Sequence, residues 1–219
     1  IYIKKHMDGV IFAGEVDIRV IEEFRKQSIP VVLVNNYLDM DGLVCISADH
    51  YGGAVQATEY LCKLGHCKIG LLSGRFSPQV SEARIEGFVK TLAKYDIPVD
   101  DRFIADIEPA LEDGEEIMTR MLREVDRPTA FFCTNDTIAA GAMKAVTRAG
   151  LRVPEDIAII GFDDSYISRV VEPELTTVRI DAAKMGCLAM QTLFDLIAGM
   201  PVEKAHIQIP TELIVRGTA

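Results

Sequence analysis

The chain has 219 residues, of which 49% are hydrophobic, and carries a formal net charge of -10. This length is sufficient for one large or two small hydrophobic cores, because domains commonly contain about 100 to 150 residues. The negative charge and the absence of a Lys/Arg run argue against a nucleic-acid surface built by this segment alone, since such surfaces depend on clustered cations.

Two further features concern the cellular compartment. The five cysteines are odd in number and mostly lie in apolar runs, which favours buried thiols in the reducing cytoplasm over a disulfide framework. No apolar stretch approaches the roughly 20 residues of a membrane helix. The chain opens near a strand, without an initiator Met or a leader sequence, and we therefore expect a truncated rather than a targeted N-terminus.

Short β-branched runs alternate with longer helical periods along the chain, which is typical of βα units around parallel sheets. Most of the runs are almost continuously hydrophobic, which indicates strands that are buried on both faces. The predicted strands cover residues 9–13, 31–34, 44–47, 68–72, 103–107, 129–133, 157–161 and 207–215.

Four helices are predicted between these strands. The first ends at Gly65. The second carries apolar residues at helical spacing, from Ile85 to Leu92, and is entered through Ser77 as a possible cap and Pro78 in its first turn. The third begins at residues 135 and 136 and stops before residue 150, and the fourth spans residues 182–198 and ends at a glycine.

Polar side chains follow most of the strands, at the sheet edge where open parallel sheets bind their ligands. Their amide, carboxylate and guanidinium groups suit a hydroxyl-bearing ligand that needs both donors and acceptors. These residues are Gly14, Asn35, Asn36, Tyr37, Asp49, Ser73, Gly74, Arg75, Phe76, Asn135, Asp136, Asp163, Asp164 and Ser165.

Arg84, which lies in the helix after one of these strands, and four residues of this set also have an ordinary structural interpretation. Arg84, near the start of its helix, is either a fork of donors for the ligand or a surface arginine. Asn135 or Asp136 could simply cap the following helix. Asp163 and Asp164 could form a carboxylate pair, but neighbouring residues after a strand point in different directions, which favours one ligand-facing Asp and one turn or cap Asp.

The sequence contains no nucleophile elbow, no P-loop, no dinucleotide-binding glycine motif and no His-x-x-x-His pair. We therefore expect no catalytic residues, no metal and no cofactor, and predict a binding protein rather than an enzyme.

Five motifs in register resemble the effector-binding domain of lactose/galactose-repressor-type (LacI/GalR) bacterial transcription regulators. The match runs in order over nearly the whole chain, which makes it more specific than any single piece. The motifs are LGHCKIG at residues 64–70, RIEGF at 84–88, PTAFFCTND at 128–136, VPEDIAIIGFDD at 153–164 and PELTTV at 173–178.

The resemblance implies an α/β fold of two Rossmann-like lobes with parallel sheets, of the periplasmic-binding-protein-like (type I) class. Residues 1–66 plus 181–202 would form the N-terminal lobe, without its first strand and helix, and residues 67–180 plus 203–219 would form the C-terminal lobe. A helix-turn-helix headpiece would precede the lobes in a segment that this chain lacks.

The resemblance also implies a function and a site. A sugar-like effector would bind between the lobes of a repressor and control operator binding by the cytoplasmic homodimer. The motif positions assign effector contacts to Arg84, Asn135 and Asp163, with Thr137 and Tyr51 at positions that contact ligand in some members. Where many relatives carry an aromatic residue after the strand ending near Ile107, this chain has residues 108–110 (EPA), which puts a stacking contact on that side in doubt.

Two rival functions remain open at the sequence level. A periplasmic sugar-binding protein of a transporter would have the same fold, although the scattered cysteines and the quoted motifs favour the regulator. A Rossmann-like enzyme would use Asp163 and Asp164 with a metal ion.

Overall fold

A computed structural model describes residues 7–36, 38, 40, 42–201 and 205–219. The secondary-structure elements in these residues are, in chain order, β1 (Val10–Ala13), α1 (Ile18–Lys26), β2 (Val31–Val34), β3 (Val44–Ala48), α2 (His50–Lys63), β4 (Ile69–Gly74), α3 (Pro78–Lys94), β5 (Ile104–Ile107), α4 (Leu111–Met121), β6 (Ala130–Cys133), α5 (Asp136–Arg148), β7 (Ala158–Asp163), β8 (Thr176–Arg179), α6 (Ala182–Ile197), β9 (His206–Ile209) and β10 (Glu212–Ile214). Two short 3₁₀ helices lie at Asp101–Phe103 and Tyr166–Arg169.

The chain divides into two compact units, each with its own sheet. The smaller unit combines the segment up to Asp49 with Asp181–Pro210. Its four strands are parallel in the order β1-β2-β3-β9. Helix α1 buries Ile21 and Phe24, one turn apart, and both join the core cluster formed with strand residues such as Leu33.

The larger unit combines His50–Ile180 with Thr211–Ala219. Its sheet has the order β10-β8-β7-β6-β4-β5, and all pairs are parallel except β10 with β8. Alternate residues of the central strands enter two different cores: Phe131 packs with α4 and α5, whereas Phe132 packs with α2 and α3. Because helices cover both faces, the central strands β4, β6 and β7 are buried at almost every position, as the sequence indicated.

This architecture confirms the predicted fold class of two α/β units built on parallel sheets. The predicted strands agree with the structure to within one or two residues, with one exception. Residues 207–215 were predicted as a single strand but form two, β9 in the smaller sheet and β10 in the larger. The break falls at Pro210, which has no backbone N–H and cannot continue a ladder on that side.

The structure contains a strand and two helices that are not among the predicted elements, namely β8, α1 and α4. Strand β8 (TTVR) lacks the continuous apolar run of most predicted strands. Helix α4 carries Gly114 in its interior, which resembles a helix break in sequence. In the fold, this glycine lets α4 approach α5 closely, since a Cβ at residue 114 would lie 2.5 Å from the backbone oxygen of Ile138.

The unit boundaries differ from the expected lobes. The expected N-terminal lobe included residues 50–66, but α2 packs with the larger unit because Ala54, Ala57 and Leu61 share a core cluster with Phe88. Residues 205–210 were expected in the C-terminal lobe, but β9 pairs with β3 of the smaller sheet. The expected boundary at residues 202 and 203 lies outside the described residues.

Two other expectations concern the cysteines and membrane association. All five cysteines are free; Cys45, Cys62 and Cys133 are buried, as expected, whereas Cys67 and Cys187 are exposed. Among the described helices, none combines the length and apolar character needed to cross a bilayer.

Candidate functional site

The candidate site lies at the carboxyl edge of the larger sheet. Strands β7, β6 and β4 are neighbours in this sheet and run parallel, so the residues that follow them come together at one edge. Helix α3 follows β4 and brings Arg84 to the same place. The equivalent polar residues of the smaller unit mainly hold its own loops: Asn36 donates to the Gly14 carbonyl, and Asn35 accepts from the Ala48 amide. Tyr37 lies outside the described residues.

Arg84 is the centre of this cluster and is almost completely buried, with 4% of its side chain exposed. Its Nη1 donates to the carbonyl of Thr134, and its Nη2 lies 3.4 Å from Oδ1 of Asp163. Its guanidinium carbon is 4.0 Å from the ring centroid of Phe162 and 4.9 Å from that of Phe76. Such contacts hold a planar cation in a fixed orientation, so Arg84 is not an ordinary surface arginine.

His50 is a member of the cluster that the sequence analysis missed. It is the first residue of α2, is buried, and has its Nδ1 3.2 Å from Nη2 of Arg84. Arginine can only donate, so Nδ1 must accept, which requires a histidine without a proton on that nitrogen. Burial, reinforced by the charge of Arg84, lowers the pKa of His50 to about 3. His50 is therefore neutral at pH 7; no sequence motif marked it.

The two adjacent aspartates have different environments, as the sequence analysis favoured. The Asp163 side chain is 37% exposed and faces Arg84, while that of Asp164 is 2% exposed and binds Arg216 and Arg179. Burial raises the pKa of Asp163 to about 6, against the opposing effect of Arg84. Burial also acts to raise the pKa of Asp164, but hydrogen bonds from Arg216 and Arg179 outweigh it and lower the pKa to about 2.

This difference weakens the hypothesis that Asp163 and Asp164 bind a metal ion together. Each carboxylate faces a guanidinium group, and the two do not face a shared open space. In the described part of the chain, no group of three or more His, Cys, Asp or Glu side chains is arranged to hold a metal ion.

Asn135 and Asp136 also divide their roles. Asn135 is the N-cap of α5, where its Oδ1 accepts from the Ile138 amide at 2.8 Å. This bond uses the amide oxygen and leaves the Nδ2 group as the donor to offer a ligand. Asp136 is buried and accepts from the Ser165 amide and the Thr177 hydroxyl. Thr137 follows in the first turn of α5 and is partly buried.

Tyr51 is not brought together with these residues by any contact that we observe. It is 38% exposed in the first turn of α2, and its ring centroid lies 5.8 Å from Nζ of Lys90. The neighbouring His50, rather than Tyr51, is the α2 residue that contacts Arg84.

An open cleft of about 300 Å³ lies beside the candidate site, at the edge strand β5 and helix α4. Arg75 belongs to its lining and pairs with Asp106 and Glu108 rather than with Arg84. Ile107 and Glu108 also line the cleft. Glu108 belongs to the segment, residues 108–110, at which the sequence analysis questioned a stacking contact. The aromatic group in direct contact with Arg84 on the β4 side is Phe76, which is partly buried.

Together these residues provide a fixed cation, a partly exposed carboxylate, an amide donor and an aromatic ring. This combination can bind hydroxyl groups from both their donor and acceptor sides. His50 accepts from Arg84 through its Nδ1 and thereby fixes the guanidinium group of this cluster.

Comparisons with known proteins agree with this fold. Residues 58–219 match the family model described as periplasmic binding protein-like domain. The chain is 35% identical over 211 residues to the "Probable HTH-type transcriptional repressor ExuR" of Bacillus subtilis (strain 168), covering 95% of this chain and 63% of that relative. It thus spans less than two thirds of the length of this curated relative.

Two solved structures are also similar. A regulatory protein of the LacI family from Chloroflexus aggregans superposes with a TM-score of 0.87 at 31% identity, covering 96% of this chain and 76% of that one. A LacI family transcriptional regulator from Enterococcus faecium with bound ribose gives 0.87 at 27% identity, covering 96% and 79%. These findings confirm the resemblance inferred from the five motifs. The chain therefore belongs to the LacI family of regulatory proteins and carries a periplasmic binding protein-like domain.

Proposed function

We propose that this chain is the ligand-sensing part of a bacterial transcriptional repressor. Its effector is a sugar or a similar hydroxylated metabolite, which binds at the carboxyl edge of the larger sheet. The repressor works in the cytoplasm as a homodimer and contacts its operator through a helix-turn-helix headpiece outside this chain. The net charge of -10 supports this division, because a phosphate backbone needs clustered cations that this segment does not carry.

The observation that carries the proposal is the buried Arg84 held against the partly exposed Asp163. The pair presents a donor fork and a carboxylate acceptor side by side, as adjacent hydroxyl groups require. Asn135 adds an amide donor at the start of α5. Thr137, in the first turn of the same helix, is proposed as a further ligand contact. Tyr51 is proposed as a further ligand contact, on the resemblance alone. The ribose named for the relative from Enterococcus faecium supports the ligand class.

Binding alone regulates nothing unless the ligand distinguishes two states of the protein. The effector shifts the population of the form that binds operator by as much as its affinities for the two forms differ. In this site His50 orients Arg84, because its Nδ1 accepts from the guanidinium group.

A thermal-shift screen tests the ligand assignment. The panel contains pentoses including ribose, hexoses, their phosphates and purines. A ligand present at 100 times its Kd stabilises the folded state by about 2.7 kcal/mol, which raises the Tm of a chain of this size by about 5 to 10 °C. A panel that leaves the Tm unchanged throughout would contradict the proposed ligand class.

Variants then test the site with the best compound from the panel. We expect Asp163→Asn and Arg84→Lys to raise its Kd about 10- to 100-fold, because each removes a charge-assisted hydrogen bond. Arg152→Met is the matched control, since it removes an exposed Arg–Asp pair with Asp156 elsewhere in the same unit. An unchanged Kd in both site variants would show that the ligand binds elsewhere.

A further inference from the structure

The loop that carries Asp163 has an unusual backbone. Asp163 has a φ of 107° and Asp164 a φ of 49°, so two consecutive residues with side chains occupy the region that favours glycine. Such a backbone is strained and persists only where the surroundings hold it in place. We therefore expect specific contacts to stabilise this loop.

The Asp164 carboxylate is held by guanidinium groups from three parts of the chain. Its Oδ1 accepts from Nη2 of Arg216 at 2.5 Å, and its Oδ2 accepts from Nε of Arg179 at 2.8 Å and from Arg169 at 3.4 Å. The Ser168 hydroxyl lies 3.1 Å from Oδ1 and 2.7 Å from the Ser165 carbonyl, and its single proton can be donated to either oxygen. The excess of positive charge around a 2% exposed carboxylate keeps it ionised, and its orientation is fixed from both oxygens.

Arg216 is itself fixed, which makes it an anchor rather than a mobile surface group. Only 11% of its side chain is exposed, and its Nη1 donates to the Leu175 carbonyl at 2.7 Å. Its backbone amide donates to the Thr176 hydroxyl at 2.9 Å. The segment after β10 is thus fastened to the start of β8, and from there Arg216 reaches the loop after β7.

The backbone of the same loop is held by a second buried carboxylate. The Ser165 amide donates to Asp136 at 2.6 Å, and the Asp164 amide lies 3.4 Å from the Thr177 hydroxyl. That hydroxyl gives its single proton to Asp136, so it can accept from the Asp164 amide. The loop is therefore fixed on both sides of its strained residues.

We propose that Asp164, which forms an ion pair with Arg216, is the positioning residue that turns Asp163 towards Arg84 and the ligand. Arg216 therefore belongs to the sensing site, although it follows β10 near the end of the given sequence. Neither residue touches the ligand; both act by keeping the strained loop in the geometry that leaves one carboxylate buried and the other accessible. This inference rests on the proposed ligand site at Arg84 and Asp163.

The test uses isotope-labelled protein without ligand, so that its failure is distinct from a failure of the ligand screen. Two signals of Asp163 are followed by NMR. A positive φ brings the amide and Hα protons of one residue close together and gives a strong intraresidue NOE. The side-chain carboxyl carbon reports the pKa of Asp163, which is about 6 in the ordered loop against an ordinary 3.8.

We expect Arg216→Met and Asp164→Asn to weaken the Asp163 NOE and to shift its pKa towards 3.8, because the released loop relaxes and exposes the carboxylate. Thr177→Ser, which keeps the hydroxyl, and Arg152→Met, which removes a remote Arg–Asp pair, should leave both signals unchanged. If both Arg216→Met and Asp164→Asn retain the NOE and the pKa of Asp163, the positioning role is refuted.

Arg216→Lys provides the same test if the two stronger changes prevent folding. Lysine keeps the positive charge but lacks the fork that reaches Asp164, Ser168 and the Leu175 carbonyl together. The two signals should then change in the same direction and by a smaller amount. A folded Arg216→Lys protein with wild-type signals would overturn the proposal.

Discussion

Protonation of His50 should destabilise the larger unit at mildly acidic pH, and Asp163 should mask much of this effect. Burial lowers the pKa of His50 from 6.5 to about 3 and raises that of Asp163 from 3.8 to about 6. The stability provided by neutral His50 is present above pH 6.5 and is lost as the pH falls towards 3. The stability provided by protonated Asp163 is complete below pH 3.8 and is lost as the pH rises through 6.

The two effects can be separated by their magnitudes between pH 7 and pH 5. Over this interval, protonation of the unfolded-state histidine lowers the free energy of unfolding by about 2 kcal/mol. Protonation of Asp163 in the folded state raises it by at most about 1 kcal/mol, since the side chain is 37% exposed and screened by solvent. The wild-type protein should therefore lose about 1 kcal/mol, and Asp163→Asn about 2 kcal/mol.

Urea unfolding at the two pH values measures these differences, followed by far-UV circular dichroism because the chain contains no tryptophan. His50→Asn, whose amide oxygen can accept from Arg84, should turn the loss at pH 5 into a gain of at most about 1 kcal/mol, which comes from Asp163. His206→Asn, which removes an exposed histidine in the smaller unit, is the control and should behave as wild type. Equal pH dependence in His50→Asn and wild type would refute the buried neutral histidine.

Three further predictions concern packing, capping and thiols. Gly141→Ala should cost about 1 to 3 kcal/mol, since its Cβ would overlap the Leu111 backbone oxygen, whereas Gly186→Ala, with open space around its Cβ, should be neutral or stabilising in urea unfolding. Asn135→Ala should lose about 1 kcal/mol of stability, while Asn135→Ser should keep the cap; equal stability of the two would contradict the capping role. A thiol reagent should modify two cysteines rapidly in the folded protein and the remaining three only after unfolding; rapid modification of all five would contradict the buried positions.

Local patterns in the sequence were sufficient for most elements of the fold. Continuous apolar runs such as residues 157–161 identified strands buried on both faces, and the glycines at 65, 150 and 199 identified helix ends, where each adopts a positive φ. The patterns failed where a local signal conflicted with a long-range contact. Gly114 resembles a break but serves a helix crossing, and β8 (TTVR) lacks the continuous apolar run that marks a buried strand.

The candidate site was only partly accessible to sequence reasoning. The strand-end positions of Asn135 and Asp163, and the family motif around Arg84, placed these residues in the cluster that the structure contains. His50 carried no signal, because its role depends on α2 bringing its first residue against Arg84 from 34 positions away. Tyr51, its neighbour in sequence, faces Lys90 instead.

The sequence by itself determined the α/β class, the family and the edge of the sheet at which the polar residues gather, because these follow from periodicity and from short motifs. The tertiary structure decided which partner each of those residues has. Asp163 and Asp164 are identical in type and adjacent in sequence. The side chain of Asp163 is nevertheless partly exposed and faces Arg84, whereas that of Asp164 is buried against Arg216. That difference arises from a backbone turn of positive φ and from the guanidinium group of Arg216, 52 residues away in the chain. Neither can be predicted from the local sequence.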